Sequence, residues 1–140
     1  MSIWTHVAGV IRLDSLHCME DITPQIKKLF NTWEFESPLS EIEKCNVPDG
    51  SEGSLQIEIW ENPDKSCSAS HNIYIFGDLR DYGKDDKKKF IAWWKKTIKN
   101  CRKIKNCFGI RNAVINIEFE DGDYLVLDSK GKEYKVEKAE

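Results

Sequence analysis

The chain has 140 residues, 40% of them hydrophobic and 32% charged, with a formal net charge of −3. That length suits one domain with a real core, here residues 1–140. The apolar runs are too short to span a membrane, and the first residues lack a basic stretch leading into a continuous apolar one, so a membrane span, a membrane partner and a signal peptide are excluded and a cytoplasmic protein is expected. Five cysteines, at 18, 45, 67, 101 and 107, form no CxxC pair, so reduced thiols are expected rather than a disulfide scaffold or a zinc site.

Residues 3–14 alternate, with Val7, Ile11 and Leu13 on one side and Trp4, His6, Ala8, Val10 and Arg12 on the other, which predicts a strand with two unequal faces. Gly9 inside it predicts a bulge or a close backbone approach. A helix follows. Thr23 suits its N-cap, Pro24 its first turn, and Ile26, Leu29, Phe30 and Trp33 recur at helical spacing, with an end near residues 31–34. Residues 35–54 are polar, acidic and broken by Pro and Gly, and read as a long loop with one short helical turn near 40–44.

Residues 55–60 form the second predicted strand, with Leu55, Ile57 and Ile59 inward and Gln56, Glu58 and Trp60 outward. Residues 61–71 read as a hairpin loop and residues 72–76 as the third strand, Ile73 and Ile75 opposing Tyr74 and Phe76. Residues 77–83 read as a loop into residues 84–106, the most clearly patterned stretch of the chain. There Phe90, Ile91, Trp94, Ile98 and Cys101 make an apolar stripe, while Lys88, Lys95, Lys99 and Arg102 mark the opposite side. By the same helical count Trp93 and Trp94 belong mostly to the core, with Trp93 the one nearer the boundary. Asp85 and Asp86 at the start and cations at the end agree with the helix dipole. Gly109 is expected to stop the helix. Residues 110–119 alternate as a fourth strand, Asp121-Gly122 is a hairpin signal, and residues 124–128 and 133–136 complete a C-terminal hairpin.

This order predicts an α+β, ferredoxin-like βαββαβ antiparallel sheet with two helices on one face, plus the C-terminal hairpin. The helices cover one sheet face. Trp4, His6, Arg12, Trp60, Tyr74 and Phe76 fall on the other, where a hairpin or loop of the chain, a second copy, or a ligand stacked on the rings would have to cover them. The third strand lacks the basic-aromatic signature of RNA recognition motifs. The stretch 84–106 holds ten Lys and Arg against two Asp, so it carries +8 and the remainder of the chain −11. Lys95, Lys99 and Arg102 are accordingly candidate contacts for an anionic partner, nucleic acid or a nucleotide.

Catalytic signatures are absent. His6, His17 and His71 are scattered and match no metal-ligand spacing. Asp78, Asp81, Asp85 and Asp86 cluster in sequence, but turn-forming and capping roles account for them without magnesium. Gly50-Ser51-Glu52-Gly53-Ser54 lacks the lysine of a phosphate-cradling loop. No enzyme activity, metal or cofactor is expected.

Trp4-Thr5-His6-Val7, residues 11–14, Gly50-Ser51-Glu52-Gly53-Ser54, Glu61-Asn62-Pro63 and Gly77-Asp78-Leu79-Arg80-Asp81-Tyr82 together resemble a set of small uncharacterised phage and prophage proteins. The resemblance implies a viral origin and action in the host cytoplasm by binding. Counter-defence is one such role, in which an antiviral defence protein is blocked or a nucleotide signal sequestered. The acidic body would suit a basic host protein, and the ringed sheet face would suit a homo-oligomer.

Overall fold

The structure is a computed structural model that describes residues 2–15, 22–30, 48, 51–63, 69–104, 107–122 and 124–136. The strands are β1 (Trp4–Ser15), β2 (Gln56–Glu61), β3 (Ala69–Arg80), β4 (Cys107–Phe119), β5 (Tyr124–Asp128) and β6 (Glu133–Lys135). The helices are α1 (Thr23–Phe30) and α2 (Lys87–Cys101), the second preceded by a 3-10 turn, Lys84–Asp86. All six strands join one sheet in the order β2-β3-β1-β4-β5-β6, and every pairing is antiparallel. The molecule is therefore α+β, as predicted, but its sheet is wider than a simple βαββαβ unit. The C-terminal hairpin does not fold over the sheet. It continues it beyond β4, because Val114 to Glu118 still offers a free edge to β5.

Alternation places the core. Val7, Ile11 and Leu13 of β1, Ile73, Ile75 and Leu79 of β3, and Ala113, Ile115, Ile117 and Phe119 of β4 are buried against Ile26, Leu29 and Phe30 of α1 and Phe90, Trp94, Ile98 and Cys101 of α2. Gly9 is the predicted close approach. A side chain there would meet Cγ1 of Ile115 at 2.7 Å and the Val114 carbonyl oxygen at 2.9 Å.

Several boundaries differ from the sequence reading, each for a tertiary reason. β3 begins at Ala69 and runs to Arg80, so part of the expected hairpin loop and the expected 77–80 loop are strand. β1 supplies the missing partners: Trp4 lies opposite Arg80 and Ser15 opposite Ala69. Gly77 (φ +154°) tolerates the strand because residues 54–55 cross it closely, the Ser54 carbonyl oxygen lying 2.9 Å from where a Cβ would sit. Gly109 does not stop α2; it lies inside β4 beside a register irregularity against β1. Thr23 starts α1, and its hydroxyl lies within hydrogen-bond distance of Nε2 of buried His71 (3.1 Å). Trp93 and Trp94 are both buried, as the helical count placed them, Trp93 at 7% exposure and Trp94 at 0%. The continuation of α1 beyond Phe30 and the short helical turn near 40–44 lie outside the described residues.

The turn between β5 and β6 is organised by Asp128. Its carboxylate accepts the Lys130 and Lys132 amides (2.8 and 2.9 Å) and the Tyr134 hydroxyl (3.2 Å). These donors, the Lys132 amide foremost, hold its pKa below the usual value of 3.8. A depressed folded pKa stabilises above 3.8 and ceases to do so as pH falls through the lowered value. Asp128→Ala is expected to speed amide exchange at Lys130 and Lys132 near neutral pH. Acidifying the wild type through the carboxylate range should lower the protection of the same two amides, measured against the intrinsic exchange rate at each pH.

Candidate binding surface

The side of the sheet away from the helices is built by strand register. Phe76, Ala8 and Asn116 stand side by side on β3, β1 and β4, and the row continues through Val126 to Tyr134 at one end and Gln56 at the other. The neighbouring row runs Glu58, Tyr74, Val10, Val114, Asp128. Two adjacent rows thus make an apolar band across the sheet with polar residues at its rim. Trp60, Tyr74, Phe76 and Tyr134 are exposed by 43%, 39%, 37% and 46%, which is unusual for four large rings sharing one face. Among the described residues nothing covers this band.

The band's two flanks differ in charge. On one side His6 sits between Asp78 on β3 and Glu120 just after β4, with Nδ1 2.6 Å from the Asp78 carboxylate and Nε2 3.0 Å from that of Glu120. Glu118 lies opposite His6 on β4. Two carboxylates on the two ring nitrogens require both nitrogens to carry protons, so the imidazolium is the favoured form. The Asp78 hydrogen bond raises the His6 pKa above 6.5, with Glu120 and the charges of both carboxylates adding to it and desolvation opposing it.

A raised histidine pKa stabilises the fold fully below 6.5 and loses that contribution as pH rises through the folded value. Melting temperature is accordingly expected to fall on going from pH 6 to alkaline conditions by a small increment that His6→Gln removes. An identical pH profile for the variant would show that the pairing contributes nothing.

On the other flank Arg12 donates to the Ser70 hydroxyl (3.2 Å), and Arg111 donates from Nε to both Asp14 oxygens (2.9 and 3.2 Å). These groups, with Ser15, Asn62 and the exposed Phe108, line an open cleft of about 400 Å³.

The structure thus gathers Trp4, His6, Arg12, Trp60, Tyr74 and Phe76 onto one face. It sets Lys95 and Lys99 of α2 and Arg102, the residue that caps its end, apart and exposed, while the buried side of α2 meets the opposite face of the sheet. Lys95 and Lys99 make no ion pair among the described residues, whereas Arg102 donates to the Ser129 carbonyl (3.2 Å).

Three of the aspartates set aside as a metal site have other partners. Asp78 goes to His6, Asp81 accepts from the Ser51 hydroxyl (2.6 Å), and Asp86 accepts the Gly83 amide (3.2 Å). Arg80 pairs chiefly with Glu52 (2.9 Å), and Asp81 is farther away (4.0 Å). Among the described residues no group of histidine, cysteine and carboxylate side chains is arranged to hold a metal ion, and no helix is long and apolar enough to cross a membrane.

The sequence reading missed the carboxylates around His6, the extension of the band to Val126 and Tyr134, and the cleft. A signal for the first was present. The inward series Ile73, Ile75 continues at Leu79, which carries Asp78 onto the face of Tyr74 and Phe76. Compared with known proteins, the chain matches no family model, no curated protein and no solved structure.

Proposed function

We propose that this is a non-catalytic binding protein of phage type that self-associates through the bare sheet face, and that it acts in counter-defence or regulation by engaging a host protein or a nucleotide signal. The observation that supports this most is the band of exposed rings on a rigid, hydrogen-bonded sheet. Such a surface is preorganised, so little side-chain and backbone ordering opposes binding. Aromatic residues at the centre of a patch are the usual anchors of an interface. The β4-β1-β3-β2 order with its two helices also favours reading the first four strands as a ferredoxin-like unit extended by a hairpin.

The test is expression in a bacterial host carrying an antiphage defence. The wild type should restore plating of a sensitive phage. The Tyr74→Ser, Phe76→Ser double variant should not, while keeping its melting temperature. Lack of restoration by the wild type across a panel of defences would remove the counter-defence role. Equal restoration by the variant would move the working surface elsewhere.

A second reading rests on Lys88, Lys95 and Lys99, which line the outside of α2 without ion pairs among the described residues. Phosphate contacts by such a stripe are strongly salt-dependent. The Lys95→Glu, Lys99→Glu double variant should lose retention on immobilised polyanions at moderate salt; unchanged retention would eliminate this surface as a nucleic-acid contact.

A further inference from the structure

We infer that the occupant of the bare face is a second copy of this chain, stacked sheet to sheet about a two-fold axis that runs across the strands at the level of Gly9. This rests on the reading of that face as a self-association surface and adds the orientation of the two copies.

The argument begins with the distribution of charge along the strands. Measured from Gly9 on β1, His6 is three residues one way and Arg12 three residues the other, both on the bare face. At the His6 level stand Asp78 and Glu118 on the flanking strands, with Glu120 beyond. Three carboxylates therefore surround one imidazolium. At the Arg12 level the flanking residues are Asn72 and Asn112, both neutral, and among the described residues Arg12 bonds only the Ser70 hydroxyl. Arg111 is already matched to Asp14. The apolar rows lie between an acidic flank and a flank whose Arg12 guanidinium has no carboxylate partner among the described residues.

Two identical faces can meet about an axis along the strands or across them. The first places like flank on like flank and sets carboxylates against carboxylates, which costs several kcal/mol. The second reverses the strand direction of one copy. Arg12 of each then stands over the His6 level of the other, between Asp78 and Glu118. The row of Tyr74 and Val10 meets the partner's row of Phe76 and Ala8. Such a contact is isologous and closed, so it ends at a dimer. Aligned packing at about −30° is the ordinary geometry for stacked sheets.

The size is adequate. Strands about 4.8 Å apart with about 3.3 Å per residue, three of them (β1, β3 and β4) running the full length from the Trp4 level to the Arg12 level and the shorter β2, β5 and β6 extending the middle, span a face of roughly 650 Å² before side-chain relief is added. Standard interfaces bury about 800 Å² per partner. Glu58 and Asp128 fall at the rim, where water remains.

The experiment is sedimentation equilibrium on the full chain with a charge exchange. The wild type should dimerise, and Arg12→Glu or Glu118→Arg alone should each weaken dimerisation by at least about tenfold. The Arg12→Glu, Glu118→Arg double variant should recover most of the loss. Within one chain these residues lie about 20 Å apart along the sheet, six residues at about 3.3 Å, so recovery can only come from contact between copies. Circular dichroism melting checks that each variant is folded.

A wild type that stays monomeric at roughly millimolar concentration overturns the inference. So does a dimer indifferent to the single changes, or one that the double change does not restore. A monomer whose restoration of phage plating still depends on Tyr74 and Phe76 would leave the docking surface standing with a different occupant. Failure of both experiments would remove the surface itself.

Discussion

Trp94→Ala should lower the free energy of unfolding by about 3–5 kcal/mol. Trp94 is the largest fully buried side chain of the core. It stands on α2 beside Trp93, with ring centroids 6.5 Å apart, and its indole N–H donates to the Asp128 carbonyl at the end of β5 (2.9 Å). One residue thus ties the basic helix to the hairpin that widens the sheet. Truncation removes the buried ring, leaves a cavity and takes one of two donors from the Asp128 carbonyl, which keeps the Gly131 amide (3.0 Å), so the lost hydrogen bond adds only about 0.5–1.5 kcal/mol.

A domain of this size has about 5–15 kcal/mol in total, so a measurable unfolded fraction is expected at growth temperature. Urea denaturation followed by circular dichroism gives the shift in midpoint. Trp94→Phe separates the causes, since it keeps a ring and loses the N–H. A change below about 1 kcal/mol for the alanine variant would mean that α2 is not seated on the sheet as described.

Gly9→Val should be the second severe change. β1 is paired on both sides, with Ile75 opposite Gly9 on β3 and Ile115 opposite it on β4. The new Cβ would press on the Ile115 side chain and on the Val114 carbonyl oxygen, the latter fixed in the ladder. Overpacking of this kind costs about 1–3 kcal/mol for one methyl group, and valine adds two more at the same place. Gly9→Ala should fall at the lower end.

Combining Gly9→Ala with Ile115→Ala should cost less than the sum of the two, because the second change removes the Cγ1 atom that the first one strikes. Additive losses would show that the contacts the second change leaves in place, with the Val114 carbonyl oxygen and the Ile115 Cβ, dominate. The position matters beyond stability. Gly9 is also the level at which the two halves of the bare face exchange character, so a distorted β1 would shift His6 relative to Arg12.

Much of this protein was written locally in the chain. The period-two pattern of Val7, Ile11 and Leu13 against Trp4, His6 and Arg12 sorted residues correctly to the two sides of β1, because alternate side chains of a strand must point oppositely. The stripe Phe90, Trp94, Ile98, Cys101 identified α2 for the same kind of reason. Gly9 announced the close approach that the structure contains. These are short-range consequences of backbone geometry and side-chain size, and no partner strand is needed to read them.

What tertiary structure alone decided is how those pieces align. His6 finds Asp78 and Glu120 at separations of 72 and 114 residues, which only the register of β1 against β3 and β4 brings together. Gly77 to Arg80 looks like a turn by composition and becomes strand because β1 offers it hydrogen bonds that local propensity does not foresee. The C-terminal hairpin was legible as a hairpin, yet its place at the sheet edge depends on the free side of β4. Pairing between distant segments is chosen by the burial and hydrogen bonding of the whole chain at once, so the charged flanks of the bare face emerge only when the sheet is assembled.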